Sequence, residues 1–405
     1  MTIGMLLNAP YPSDVRIKKE ADALLRAGYK IHLLCLRRAG ELQEQNCDGI
    51  LVKRINAGKN NNSLAFWDMV MSVSHVHPRF KHCLPEWIVK NNIEALHVHD
   101  LPLVGTALAI KKTIPLPVIA DFHENYPDAL RVWFAWKKNP LVKLKNWLFM
   151  SPTHWKKIEK KAVLECDWVI AVVDEMKSRL LEEYNAESKK IKVITNSEEK
   201  SFLNQPDDPD LYQQWNSKFK IVYTGNIGPH RGVDTAIEAM GNLKNEKDIV
   251  LILVGSGSHA VMQNLKELVG KLNLHDQVFF LGYQLFHKFY SYMRYADVNI
   301  IPHKSNTHTD HTIPHKLFQG MMVGKPMLVS SSAPLKRTID KAQAGLVFQA
   351  GNPDDLAQKI KTLYSNKTLC VQLGENGVKA TTEGNLNWET DQLVLLDLYN
   401  NLKKV

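Results

Sequence analysis

An α/β protein with two doubly wound, Rossmann-like domains facing each other across a cleft is the architecture this sequence predicts. Three observations carry it. Short apolar runs of strand length recur along the chain, helical patterns fall between them, and one polar stretch divides the sequence into halves of similar size. Unbroken apolar strands separated by helices suit parallel sheets covered on both faces.

In the first half the strand-like segments are residues 2–8, 30–36, 51–55, 95–98, 117–121, 168–172 and 191–194. Residues 14–25 read as the first helix, stopped at Gly28 just before the next strand. The second half repeats the arrangement with strands at 218–224, 249–254, 277–281, 297–301, 326–330 and 345–348. Residues 1–196 are expected to form one domain and 218–383 the other. The stretch 197–217, rich in Asn, Glu, Asp, Pro and Gln, reads as the linker, and 384–405 as a terminal helix.

The segment 302–332 is the most telling. A loop rich in His, Thr and Asn follows the apolar run 296–301, so polar groups collect where a strand ends, the edge at which open α/β sheets bind ligands. Pro314 suits a first helical turn and leaves backbone N–H groups facing the loop, an arrangement that favours anions. Leu317, Phe318, Met321 and Met322 form a stripe expected to be buried, and Gly324 ends the helix.

Composition excludes several classes. With 44% apolar and 23% charged residues the 405-residue chain is globular, and no apolar run is long enough to span a bilayer. The first residues lack a basic leader and a cleavage site, so the expected location is the cytoplasm. Cys35, Cys47, Cys83, Cys166 and Cys370 are odd in number and scattered, unlike a disulfide framework or a zinc site. The net charge of +9 is concentrated in residues 131–161, which hold nine basic residues and one acidic one. Trp133, Phe134, Trp136, Trp147, Phe149 and Trp155 are interleaved with these cations. That mixture suits an anionic membrane surface, or equally a solvated helical face over core aromatics; no nucleic-acid-binding module is legible.

The order and spacing of Tyr223-Thr224-Gly225-Asn226-Ile227, Arg231-Gly232-Val233-Asp234, Leu253-Val254-Gly255-Ser256-Gly257, Lys316-Leu317-Phe318, Gly324-Lys325-Pro326 and Ala344-Gly345-Leu346-Val347 resemble family 4 of the retaining nucleotide-sugar glycosyltransferases. In the first half, His97-Val98-His99-Asp100 and Ala120-Asp121-Phe122-His123-Glu124-Asn125-Tyr126-Pro127 look like members that build bacterial surface polysaccharides. The resemblance implies the GT-B fold, with the nucleotide sugar held mainly by the second domain and the acceptor by the first. It also implies that the terminal helix packs back toward the first domain. The implied co-substrate is a UDP- or GDP-linked sugar with no separate cofactor, and the implied acceptor is a glycan or a lipid-linked molecule at the inner face of the cell membrane.

A diphosphate leaving group gains charge as the glycosidic bond breaks, so such a site needs fixed cations and N–H groups. Arg231 and Lys316 are the candidates, with His123 beside the transferred sugar as the third catalytic-site residue. Gly225, Asn226, Gly232, His311, Pro314, His315 and Gln319 are expected around the donor. Asp14, Arg16, Glu124 and Tyr126 are expected around the acceptor, with capping of the first helix as the alternative for Asp14. Two positions depart from the family. Relatives carry glutamates where this chain has His311 and Gln319, eight residues apart. The altered pair keeps two other readings open, a nucleotide-sugar epimerase or hydrolase on the same fold and a non-catalytic glycan-binding or scaffold protein. No metal is expected: Pro314 interrupts any helix joining His311 to His315, and His97 and His99 fit the family's strand pattern.

Overall fold

The computed structural model describes residues 1–12, 15–56, 61–135 and 140–402. It forms two compact units, Met1–Thr195 with Gln392–Val405, and Asn196–Asp391.

The first unit is built on β1 (Thr2–Pro10), β2 (Lys30–Leu36), β3 (Glu44–Cys47), β4 (Ile50–Ile55), β5 (Ala95–His99), β6 (Val118–Phe122), β7 (Trp168–Ala171) and β8 (Ile191–Val193), in the order β3-β4-β2-β1-β5-β6-β7-β8. Neighbours run parallel except for the β3–β4 pair, which is antiparallel. β5 and β6 are buried on all five residues each, β5 despite its two histidines. The chain leaves β1 toward β2 on one side and reaches β5 on the other. The carboxyl ends of β1 and β5 therefore flank a switch point, where loops can diverge around a ligand.

The second unit holds β9 (Phe219–Thr224), β10 (Ile249–Val254), β11 (Val278–Gly282), β12 (Val298–Ile301), β13 (Met327–Ser330) and β14 (Gly345–Phe348), all parallel, in the order β11-β10-β9-β12-β13-β14. Its switch point lies between β9 and β12. The helix His315–Met322 buries Leu317, Phe318, Met321 and Met322, each no more than 2% exposed, and Gly324 at φ +73° follows it. Burying side chains of this size contributes about 1.5–3 kcal/mol each, which fixes the helix onto the sheet and with it the loop that precedes it.

Each strand expected from the sequence is present to within two residues at its ends. The addition is β3, whose sequence EQNC has no apolar alternation to reveal it. A second difference concerns the expected linker. Residues 197–217 belong to the second unit, where the 3₁₀ segments Lys200–Asn204 and Pro209–Trp215 place Phe202, Tyr212 and Trp215 in its core. Polar composition hid three aromatic anchors. The last helix, Trp388–Leu402, begins in the second unit, and from Gln392 onward it is counted with the first. There Tyr399 is fully buried, and the Tyr29 hydroxyl donates to Asn400 Oδ1 at 3.1 Å.

Candidate functional site

In the second unit two loops meet at the carboxyl ends of β9 and β12. The loop after β9 turns through the short 3₁₀ segment Pro229–Arg231 into Gly232, then enters the helix Val233–Asn242. Gly232 adopts φ +68°, and a Cβ there would lie 1.7 Å from the Pro302 carbonyl oxygen, so only glycine lets the two loops touch backbone to backbone. The Lys304 N–H, donating to the His230 carbonyl at 3.0 Å, locks the same contact. Neither Gly232 nor Pro314 makes a side-chain cap to the helix it precedes.

Arg231 and Lys316 arrive at this edge from different elements. Arg231 donates an Nη1–H to His303 Nε2 at 3.0 Å, which puts the imidazole proton of His303 on Nδ1. His303 is 1% exposed; its burial, followed by the charges of Arg231 and Lys316, pushes its pKa well below the ordinary value. His230 follows the same rule, with burial and Arg231 lowering it to about 3. Lys316 sits with Nζ 3.9 Å from the centroid of the Tyr223 ring. Desolvation, and then Arg231, push its ammonium pKa well below the usual lysine range. Among the described residues, neither Arg231 nor Lys316 pairs with a carboxylate. Lys304, by contrast, is held by Asp234 at 2.5 Å. Gly225, at φ +107°, turns a bare backbone face to the Lys316 ammonium, since a Cβ there would approach Nζ to 3.2 Å. Two desolvated cations with imidazole neighbours but no counter-ion, beside uncapped helix starts, form a strong site for a multiply charged anion.

Two models of known families match the chain, one described as Glycosyltransferase Family 4 over residues 14–197 and one as Glycosyl transferases group 1 over residues 207–380. The chain belongs to the GT-B glycosyltransferases. An uncharacterized glycosyltransferase of Methanocaldococcus jannaschii is 26% identical over 60% of this chain and 59% of its own length. The O-antigen chain mannosyltransferase of Salmonella typhimurium is 27% identical over 33% of this chain and 35% of its own. The chain spans about three fifths of the length of the two foremost curated relatives, 59% and 62%. Among solved structures, sucrose-phosphate synthase of Thermosynechococcus elongatus superposes with a TM-score of 0.80 at 16% identity, over 100% of this chain and 99% of that one. The Anabaena protein HepE in complex with UDP gives 0.74 at 13%, over 99% and 100%. These likenesses establish the GT-B fold.

Within that fold, the structure brings several of the expected site residues together. Gly225, Asn226, Arg231, Gly232 and Lys316 are gathered by the β9 and β12 loops and the following helices. Asn226 is exposed, and its carbonyl accepts from the Tyr223 hydroxyl at 2.5 Å. Pro314 caps the helix rather than sitting inside its first turn. His311 is half-buried, with Nδ1 2.6 Å from the Thr307 carbonyl, and His315 Nε2 lies 3.2 Å from Asn196 Nδ2. In the first unit His123 follows β6 with its side chain 13% exposed, and its backbone N–H donates to Asp100 Oδ1 at 3.1 Å. Glu124 beside it is also half-buried.

Other expectations are corrected. Arg16 is a core residue and not an acceptor ligand: it is 2% exposed, paired with Glu20 at 2.9 Å and Asp121 at 2.8 Å, and donates to the Ile194 carbonyl. Gln319, expected at a ribose, is 3% exposed and donates to Glu198 Oε2 at 2.6 Å. Glu198 escaped notice because it lies in the stretch read as a linker; a second carboxylate at position 319 would face it directly, which accounts for glutamine there. Tyr126 is half-buried, its ring edge-on to Trp155 at 4.8 Å and to Trp133 at 6.2 Å, and burial raises its hydroxyl pKa. Asp14 lies outside the described residues. In the basic aromatic segment, Trp155 is fully buried, while Trp133, Leu144 and Leu148 are 40%, 53% and 45% exposed near exposed Lys143, Lys157 and Lys160. Trp136, Lys137 and Lys138, and the side chains of Lys145 and Trp147, lie outside the described residues. No described helix is long and apolar enough to cross a membrane. His303 was missed for want of a motif; its position directly after a strand at the switch point was the available signal.

Proposed function

We propose that this chain is a retaining glycosyltransferase that moves a sugar from a UDP- or GDP-linked donor to a glycan or lipid-linked acceptor in cell-surface polysaccharide synthesis. The observation that carries the reading is the pair Arg231 and Lys316, two cations without a carboxylate partner at the switch point of the second unit. HepE in complex with UDP and the Salmonella mannosyltransferase support the donor class and the pathway respectively. In this scheme Arg231, Lys316 and the N–H groups at Val233 hold the diphosphate. The bond from the anomeric carbon to the phosphate oxygen breaks as an acceptor hydroxyl attacks from the same face. The departing phosphate oxygen takes the hydroxyl proton, so neither an enzyme base nor a metal is needed. His123 hydrogen-bonds a hydroxyl of the transferred sugar and orients it.

A thermal-shift panel of nucleotide sugars identifies the donor, because a ligand that binds only the native state raises its melting temperature. Replacing Arg231 by Ala is expected to abolish that shift and to lower transfer by about a hundredfold or more, with the unliganded melting temperature held. Transfer and donor hydrolysis at the wild-type rate in this variant would remove the proposal. For the acceptor side, exposed Trp133, Leu144 and Leu148 among lysines support contact with the anionic inner face of the cell membrane. Co-sedimentation with phosphatidylglycerol vesicles that falls as salt rises is expected, and equal binding to neutral vesicles would count against it.

A further inference from the structure

The densest chemistry not used by that scheme lies beneath the His123 loop. Arg16 and Glu20, one turn apart on the helix Val15–Arg26, meet His97 and His99 of β5 and Asp121 of β6, all at most 2% exposed. Glu20, His97, His99 and Asp121 turn one oxygen or nitrogen each toward a common point, all within 4.8 Å of one another. His97 Nε2 is 3.3 Å from Glu20 Oε2, and His99 Nδ1 is 3.4 Å from Asp121 Oδ2. Bonds of about 2.0–2.1 Å to a tetrahedral ion would give similar edges.

The balancing charge is already supplied by the protein. Arg16 reaches Glu20 Oε1 at 2.9 Å and Asp121 Oδ1 at 2.8 Å, and its Nε–H also donates to Asp121 Oδ2 at 3.2 Å. Burial alone would lower His97, but hydrogen bonds to Asp121 and Glu20 outweigh it and raise the pKa to about 9, so this ring is an imidazolium at neutral pH. Its Nδ1–H donates to the Tyr399 hydroxyl at 2.8 Å. Guanidinium and imidazolium together neutralise two carboxylates. A divalent ion would add a surplus charge beside a buried arginine.

Two contacts lead from this closed group to His123. Asp121 Oδ2 lies 2.8 Å from Nε2 of His123, the one ring of the three with part of its surface open. His99 Nδ1 stands 3.3 Å from the same nitrogen, and Asp100 Oδ2 is 3.5 Å from His123 Nδ1. We propose that Asp121 is a positioning residue: held by Arg16 and His97, it takes the Nε2–H of His123 and thereby fixes the ring, with its Nδ1 turned to Asp100. Arg16 and His97 keep Asp121 ionised and immobile. Burial would raise its pKa, but Arg16 and His123 draw it well below the carboxylate range. The kinetic consequence rests on His123 lying at the transferred sugar; the protonation state of the ring does not.

Nitrogen-15 spectra of histidine-labelled full-length protein, with His123 assigned by its own substitution, test this. The wild type is expected to carry a proton on His123 Nε2. In Asp121→Asn, the amide oxygen stays with Arg16 and the amide nitrogen faces His123, so Nε2 should lose its proton to Nδ1, with kcat down about tenfold or more and donor KM within about twofold. Tyr399→Phe strips a partner from His97 without touching Asp121; it should lower the melting temperature yet leave the His123 signal and kcat unchanged. A wild-type His123 unprotonated at Nε2 overturns the proposal and decides it alone if Asp121→Asn does not fold. Equal effects of the two variants would reduce Asp121 to a structural role. One equivalent of zinc retained after chelator washing would also overturn it, because Asp121 Oδ2 would then be a ligand. Loss of donor binding, by contrast, bears only on the proposed activity.

Discussion

Histidine plays opposite parts in the two units. His97 in the first is raised to about 9 and serves as a buried cation; His230 in the second is lowered to about 3 and His303 is lowered well below its ordinary value, and both serve as neutral groups. Burial does not separate them, since it lowers an imidazole pKa in both places. For these three the sign of the neighbours does, although His99 beside the same carboxylates is lowered because burial outweighs them and His97 and His123 add to it. His97 faces Glu20 and Asp121, whereas His230 and His303 face Arg231 and Lys316. The first unit therefore closes its charges on one another, and the second leaves positive charge uncompensated at a sheet edge. A balanced cluster holds a fold together; an unbalanced one holds a ligand.

Removing a cation from each side should break this contrast most sharply. Arg16→Met in the first unit strands two buried carboxylates and is expected to destabilise it by about 3–5 kcal/mol, read as a lowered urea midpoint. Lys316→Met in the second unit removes a desolvated charge with no counter-ion. Its melting temperature is expected to hold or rise, while affinity for the nucleotide sugar falls about tenfold or more. Equal destabilisation by both variants would erase the distinction. A smaller effect concerns pH. His97 has a folded-state pKa above its unfolded value, so its contribution is present below about pH 6.5 and fades as pH rises through about 9. His230 is depressed, so its contribution is present above about pH 6.5 and fades as pH falls toward about 3. Pulse proteolysis with fragments identified by mass should find the first unit opening first on the alkaline side, whereas on the acid side His77 of the first unit, lowered to about 4, and His230 of the second weaken both units. The second unit opening first on the alkaline side would contradict the assignment of these shifts.

Much of this was legible beforehand where a single physical signal dominated. Thirteen apolar runs announced strands, and the stripe Leu317, Phe318, Met321 and Met322 announced a buried helix face. Arg231 and Lys316 were found through spacing against a family pattern, and their lack of counter-ions is a property of three-dimensional neighbours that no spacing records. The misses have the same root. Arg16, on a helix at a sheet edge, looked available for ligand, but its partner Asp121 is 105 residues away. Glu198 and the aromatic anchors Phe202, Tyr212 and Trp215 were masked by polar company. β3 carries no apolar alternation because one neighbouring strand and solvent are all it meets.

That last strand has a bearing on how the molecule behaves in concentrated solution. A wide parallel sheet ending in an apolar strand would present a row of free N–H and C=O groups, a template for pairing with another chain. The first unit ends instead in Glu44–Cys47, three of whose four residues are exposed and none of which is aliphatic, and at the far side in the three-residue β8. Reversing direction at β3 also spoils the parallel register that an incoming parallel strand would need. The eight-stranded sheet is thereby terminated by chemistry at one border and by brevity at the other, so width is gained without inviting aggregation.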